Sequence, residues 1–94
     1  MAKVITINPS LTSRVRSALT NGLATAGIKA QIEIEPISGT KLQRVTILAK
    51  GFEKLRPSER QDLVWRILTP ELSRDEQLRL SAIYTFAPSE LRGE

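Results

Sequence analysis

The spacing of hydrophobic positions changes several times along the chain, and the first regular stretch has helical spacing. After Asn8-Pro9-Ser10, apolar and small residues recur at intervals of three and four positions: Leu11, Val15, Ala18, Leu19, Gly22, Leu23 and Ala26. This spacing places them on one face of a helix. The small members would let that helix lie close to a sheet. Gly27 is a natural C-terminal stop, so we predict a first helix between Ser10 and Gly27.

Two segments of alternating polarity follow this helix. The first places Ile28, Ala30, Ile32 and Ile34 on one face and charged or polar residues between them. In the second, Leu42 to Ala49, one face carries Val45, Ile47 and Ala49. Alternation of this kind predicts half-buried strands. The segment from Pro36 to Lys41 contains Ser38-Gly39 and suits a turn, so the strands are expected to form an antiparallel hairpin.

Helical spacing returns in the second half of the chain. Lys50 to Pro57 is expected to be a loop, and Ser58 with Gln61 has the spacing of a capping box at the start of a helix. The residues expected to be buried by this helix are Leu63, Val64, Ile67 and Leu68. Thr69-Pro70 ends it, because a residue before proline avoids helical angles.

The remaining residues predict one turn, one strand and a final helical turn. Ser73 and Glu76 have the spacing of a second capping box, with room for a turn only. Alternation then resumes and predicts a third strand with these residues on its core face: Leu78, Leu80, Ala82, Tyr84 and Phe86. The segment from Pro88 to Leu91 suits a last helical turn.

The order of elements is helix, strand, strand, helix and strand, which indicates one α+β domain spanning residues 1–94. Two helices must then cover one face of a three-stranded sheet. A helical crossover joins the second and third strands, which favours parallel pairing and a mixed sheet. Lys3 to Ile7 is a candidate for an additional leading strand, which would add to a sheet edge or mediate dimerisation.

Composition removes most kinds of catalytic and metal chemistry. The chain has no cysteine and no histidine, so it lacks thiolate ligands, imidazole ligands and the commonest general base. Any metal would need carboxylates alone, and the adjacent pair Asp75-Glu76 is more typical of a solvated turn. No serine stands with a base and no glycine-rich phosphate loop is present. We therefore expect a non-enzymatic protein without a cofactor.

The sequence also shows no apolar segment of the kind that spans a membrane or directs secretion. No apolar run approaches the roughly 18 residues of a membrane-spanning helix. The apolar part of Met1 to Ile7 is too short for a signal peptide. We expect a soluble, cytoplasmic protein with no membrane partner.

The net charge of +4 lies entirely in residues 41–66. That segment carries seven basic residues, Lys41, Arg44, Lys50, Lys54, Arg56, Arg60 and Arg66, against Glu53, Glu59 and Asp62. Acids and bases balance in the rest of the chain. A basic face of this kind is expected to meet an anionic partner, although a solvated surface that favours solubility would have the same composition.

The stretch from Gly51 to Glu90 carries a set of residues in a characteristic order and spacing: Phe52, Arg60, Trp65, Leu68, Leu72, Thr85, Pro88 and Glu90. In this pattern it resembles the BolA-like proteins, whose fold shares the α-β-β-α-β order of class II KH domains. The resemblance implies a three-stranded mixed sheet with helices packed on one face. It also implies a regulatory or partner-binding role.

The departures from the family pattern concern its ligand histidines. Members that share an iron–sulfur cluster with a monothiol glutaredoxin use a histidine shortly before the third strand, where this chain has Gln77. Gln61 replaces the histidine of the central helix, and the turn from Pro36 to Lys41 has neither histidine nor cysteine. Amide oxygens are poor ligands for such clusters. Cluster sharing by the family's usual mode is therefore not expected.

Two functional hypotheses remain. In the first, the module binds RNA or DNA phosphates through Lys50, Lys54, Arg56, Ser58 and Arg60, together with the free amides at the start of the helix. The Gly-x-x-Gly loop of KH domains is missing between Lys54 and Ser58. In the second, the protein is an adaptor whose partner contacts Gln61, Trp65 and Gln77. Structural alternatives stay open: Arg60 pairs with an acid, and Trp65 packs in the core.

Overall fold

The computed structural model describes residues 10–92, so the candidate leading strand at Lys3 to Ile7 lies outside the described residues. The helices and strands are, in chain order, α1 (Leu11–Thr25), β1 (Ala30–Pro36), β2 (Gln43–Ala49), α2 (Pro57–Leu68), α3 (Arg74–Leu78) and β3 (Leu80–Phe86). Short 3-10 helices occupy Lys50–Lys54, Thr69–Glu71 and Pro88–Arg92. Within residues 10–92, every helix is too short or too polar to cross a membrane.

The three strands form one mixed sheet in the order β1-β2-β3. β1 and β2 are antiparallel, with Ala30 opposite Ala49 and Ile34 opposite Val45. β2 and β3 run parallel, as the helical crossover between them requires. The predicted α+β fold and mixed sheet are confirmed.

The core lies between the sheet and the two long helices, all on one face. Three groups of fully buried side chains meet there: Val15, Leu19 and Leu23 from α1, Val64 and Leu68 from α2, and Val45 and Ile47 from β2. The ring of Phe52, from the turn after β2, is also fully buried. Leu63 and Ile67 are only half-buried. The opposite face of the sheet carries exposed polar side chains from β1, the exposed Arg44 of β2, and the half-buried Thr46 and Leu48 of β2.

Gly22 of α1 serves a contact that differs from the expected one. A Cβ atom at Gly22 would lie 2.5 Å from Cγ2 of Ile67, which is far inside van der Waals contact. Gly22 therefore lets α1 approach α2, and its close partner is not the sheet.

The predicted core face of β3 is wrong for its aromatic residues. Gln43 lies opposite Leu80, but Arg44 lies opposite Ala82, so one extra residue enters β3 at this point. An inserted residue reverses the alternation of faces. Beyond it, Ile83 and Thr85 lie opposite Val45 and Ile47 on the helix-covered face.

Tyr84 and Phe86 consequently lie on the open face of the sheet. Tyr84 keeps 44% of its surface exposed, and Phe86 is half-buried. Leu78, expected on the core face of the strand, belongs instead to α3 and is 71% exposed. The sequence alternation was real, but it did not reveal the extra residue that reverses it.

The start of α2 also differs from the sequence prediction. The helix begins at Pro57, and the backbone N–H of Arg56 donates to the Glu59 carboxylate at 2.8 Å. Glu59, not Gln61, therefore supplies the side chain that returns to the helix start. The predicted capping box at Ser73 is confirmed: the Ser73 hydroxyl accepts from the Glu76 N–H at 3.1 Å, and the Glu76 carboxylate accepts from the Ser73 N–H at 2.8 Å.

Candidate nucleic-acid interface

Arg60, predicted to bind phosphate, is buried and serves the fold instead. Its relative exposure is 4%, because α2 turns this side chain inward between the turn after β2 and the end of β3. Nε donates to the carbonyl oxygens of Phe52 and Leu55, each at 3.0 Å. Nη1 donates to the carbonyl oxygen of Thr85 at 3.1 Å. One side chain of α2 thus joins the turn after β2 to the end of β3.

The remaining contact of Arg60 is a two-pronged ion pair with Glu90. Nη1 and Nη2 each donate to one carboxylate oxygen at 2.8 Å, the fork geometry that makes guanidinium–carboxylate pairs strong. The hydrogen bond to Glu90 raises the pKa of Arg60. The hydrogen bond from Arg60, and next the one from the Ala87 N–H, lowers the pKa of Glu90 to about 2. The alternative of pairing with an acid is therefore confirmed, and the buried Arg60 guanidinium is not exposed to a phosphate.

The start of α2 offers little room for an anion, because an acid already occupies it. The Glu59 carboxylate accepts from the Arg56 backbone N–H and lies 3.8 Å from the Arg56 guanidinium. A carboxylate here already satisfies the partial positive charge of the helix end. Ser58 is exposed in the first turn of the helix. Arg56 points into solvent with a side-chain exposure of 83%, so both candidates are accessible from solvent.

Lys50 and Lys54 meet a third lysine that the charge pattern of the sequence did not indicate. A groove of about 400 Å³ is lined by Gly27, Lys29, Lys50, Gly51, Glu53 and Lys54; these residues are called the lysine groove below. Three ammonium groups and one carboxylate give it a positive balance. The hairpin register explains why Lys29 lies near Lys50. Because Ala30 lies opposite Ala49, the preceding Lys29 and the following Lys50 lie beside each other at one end of the sheet.

Two glycines shape the floor of the lysine groove. Gly27 has φ +80°, a left-handed conformation that suits the turn after α1. A Cβ atom at Gly51 would lie 2.9 Å from Cγ1 of Ile28, so glycine lets this turn pack against the segment that leads into β1. The close packing holds the backbones of Lys29 and Lys50 in a fixed relation.

The candidate partner-binding residues are engaged within the fold. The Gln61 amide donates to the carbonyl oxygen of Ile83 at 2.8 Å, and the Gln77 amide donates to that of Leu72 at 3.1 Å. Trp65 is half-buried and packs against the hydrophobic core. This agrees with the alternative that Trp65 is a packing residue. Gln61 links α2 to the irregular strand β3, and Gln77 links α3 to the residue before its cap.

The acidic residues of the described part of the chain do not gather into a metal-binding group. In the stretch from Ser10 to Arg92, no three acidic side chains lie where they could hold a metal ion together. Glu76 forms an ion pair with Arg14 of α1, and Glu35 lies 3.6 Å from Arg44. Carboxylates of the described residues are thus partly occupied by basic side chains of the same chain.

Comparison with known proteins places this fold beside solved BolA structures. BolA1 from Arabidopsis thaliana superposes with a TM-score of 0.59 at 24% identity, covering 88% of this chain and 98% of that one. The solution structure of BolA1 from Mus musculus gives a TM-score of 0.60 at 20% identity, covering 99% of this chain and 76% of that one.

A third similar structure is the crystal structure of a bol-like protein from Babesia bovis, with a TM-score of 0.53 at 18% identity, covering 95% of this chain and 96% of that one. No protein-family model and no curated protein matches the chain. The structural likeness extends over most of each chain and establishes the BolA-like fold.

Proposed function

We propose that this chain is a BolA-like regulatory or binding module without catalytic activity, and that it binds nucleic acid through the lysine groove. The observation that carries the proposal is the meeting of Lys29, Lys50 and Lys54 around the bare backbone of Gly27 and Gly51. Lysines of separate chain segments repel one another when gathered, and a polyanion relieves that repulsion. Similarity to solved BolA structures supports a binding role. The class of ligand is inferred from the chemistry of the lysine groove.

Lysine side chains suit binding to the phosphate backbone of a nucleic acid more than recognition of its base sequence. An ammonium group is a compact point charge that holds phosphates without the fixed fork of arginine. Phosphate contacts of this kind supply affinity and position but carry no sequence information. Arg56 lies two residues beyond Lys54 and is widely exposed. Its contact with Glu59 is a surface pair of small energy, so Arg56 can extend the phosphate-binding path past the groove.

Fluorescence anisotropy with labelled twelve-nucleotide RNA, DNA and duplex DNA tests the proposal. Each phosphate contact on a single strand contributes about −0.7 to the slope of log affinity against log salt. Three lysine contacts therefore contribute about −2 to this slope, and a contact of Arg56 adds about −0.7. The triple variant Lys29→Ala, Lys50→Ala and Lys54→Ala should remove the lysine contribution and leave a slope of about −0.7.

A charge-matched control separates the groove from the overall charge of the protein. Lys41, Arg74 and Arg79 are exposed and lie outside the groove, so their triple alanine variant removes the same charge. This control should keep most of the wild-type affinity and slope. Equal loss in both triple variants, or no binding by the folded protein at low salt, would contradict the proposal and turn the search to a protein partner.

A further inference from the structure

The open face of the sheet carries a pair of neighbouring aromatic rings. Tyr84 and Phe86 are two positions apart on β3 and therefore lie on the same face. Their ring centroids lie 6.1 Å apart with planes inclined by 13°. Tyr84 is 44% exposed. The other aromatic residues of the described chain, Phe52 and Trp65, belong to the core and its border. A contiguous apolar patch on an exposed face is a candidate binding surface.

This aromatic pair lies next to the lysine groove on a continuous surface. Leu48 lies opposite Phe86 in the sheet and borders one groove together with Phe86 and Leu91. Leu48 also borders a second groove together with Lys29 and Lys50. Parallel β2 and β3 end on the same side of the sheet, where Lys50 follows β2 directly. The surface thus passes from aromatic rings to ammonium groups around the end of β2.

We propose that Tyr84 and Phe86 form a stacking platform for the bases of a single-stranded nucleic acid whose phosphates lie in the lysine groove. This inference rests on the proposed function and narrows its ligand to single-stranded RNA or DNA. Bases have their faces covered in a duplex and exposed in a single strand, where they stack on aromatic side chains. A cationic groove beside stacked rings is the combination that such ligands require.

The charges facing the platform favour one path for the strand. Glu33 and Glu35 lie on the same open face, on β1, which is separated from β3 by β2. Glu33 lines the same groove as Leu48 and Phe86. Strand spacing places Glu33 about 10 Å from Tyr84 across the sheet, and Glu35 is paired with Arg44 at 3.6 Å. The bound strand is therefore expected to follow β3 toward Phe86 and to turn over Leu48 to Lys50, away from the acidic edge.

An abasic oligomer separates stacking from phosphate binding. Anisotropy titrations use twelve-nucleotide oligo(dT), oligo(U), a duplex of equal length and an abasic deoxyribose-phosphate oligomer. Stacking predicts that oligo(dT) and oligo(U) bind roughly 5- to 100-fold more tightly than the abasic oligomer and also more tightly than the duplex. The variant Tyr84→Leu/Phe86→Leu keeps apolar surface but removes both rings. It should lower oligo(dT) affinity to the abasic level without changing the salt slope.

Two controls make the result specific to the rings. Tyr84→Phe keeps the ring and should bind oligo(dT) as the wild type does. Tyr84 is the one tyrosine in the sequence, so its ring proton signals should shift on adding oligo(dT) and stay in place on adding the abasic oligomer. Urea unfolding of the leucine variant verifies that it remains folded.

The outcomes distinguish this inference from the function it rests on. Equal affinity for oligo(dT) and the abasic oligomer, with no effect of Tyr84→Leu/Phe86→Leu, overturns the platform while the lysine groove retains its role. Absence of binding to every oligomer by the folded protein overturns both proposals. Retention of tight oligo(dT) binding by the leucine variant shows that general apolar contact, not ring stacking, acts on this face.

Discussion

Arg60 and Glu90 form a two-pronged ion pair, with both guanidinium–carboxylate contacts at 2.8 Å. The pair joins the buried face of α2 to the turn that follows β3. The same carboxylate accepts from the Ala87 N–H at 3.0 Å, and the same guanidinium donates to carbonyl oxygens of the turn after β2 and of β3. One ion pair thus fixes the segment that carries Leu91 beside the open sheet face.

Replacing Arg60 should affect stability before it affects binding. Arg60→Met removes a hydrogen-bond donor from the carbonyls of Phe52, Leu55 and Thr85, so it should destabilise the fold by about 2–4 kcal/mol. Urea unfolding measures this change. Arg66→Met, at an exposed position of the same helix, should change stability by less than about 0.5 kcal/mol. If folded Arg60→Met lost oligonucleotide affinity as the lysine variant does, Arg60 would have a binding role after all.

Glu90 should make stability depend on acid pH. The pKa of Glu90 is lowered to about 2 in the folded protein, below an ordinary glutamate value of about 4.3. Folding therefore favours the ionised form, and the contribution is fully present above about pH 5 and disappears as the pH falls toward about 2. Unfolding of the wild type and Glu90→Gln should differ at neutral pH and converge in this window.

The matched control for Glu90 is Glu71→Gln, at an exposed position of the 3-10 turn after α2. Its stability difference from the wild type should stay small at neutral pH. A Glu90→Gln difference that remains constant from neutral pH down to about pH 2 would contradict the role of the Arg60 hydrogen bonds.

Gly22→Ala should destabilise the protein although alanine is the better helix former. A new Cβ atom would lie 2.5 to 2.9 Å from three side-chain carbons of Ile67, and overpacking of this kind costs about 1–3 kcal/mol. The higher helix propensity of alanine offsets about 1 kcal/mol of this loss of stability. The expected net loss is up to about 2 kcal/mol, measured by thermal or urea unfolding.

A double-mutant cycle identifies Ile67 as the cause. Ile67→Ala opens space next to Gly22, so Gly22→Ala in that background should stabilise the helix instead of destabilising it. The two changes should therefore be strongly non-additive. An equal effect of Gly22→Ala in both backgrounds would show that the two helices do not meet closely here.

Glu59 should have opposite effects on folding and on binding. Glu59→Ala removes the acceptor for the Arg56 N–H and should destabilise the fold by about 0.5–1 kcal/mol. It also removes a negative charge beside Arg56 and close in sequence to Lys54, so oligonucleotide affinity at low salt should rise a few-fold. Glu71→Ala removes the same charge elsewhere and should raise affinity less. A fall in affinity for folded Glu59→Ala would contradict the path past Arg56.

Local spacing along the chain was enough to predict most of the elements and their order, because helix and strand periods are properties of neighbouring residues. The alternation of β1 and β2 predicted the hairpin, and the crossover predicted that β2 and β3 are parallel. The absence of histidine and cysteine follows from the sequence directly. The charge of the middle segment pointed to Lys50 and Lys54, both of which line the lysine groove.

The side chains that are available to a ligand depend on the tertiary structure. Arg60 resembles its exposed neighbours in the sequence, yet α2 buries it against three backbone carbonyls and Glu90. Lys29 enters the groove only through hairpin pairing, and one extra residue in β3 moves Tyr84 and Phe86 to the open face. Burial, register and ion pairing depend on residues distant in sequence, so the spacing of neighbouring residues does not predict them.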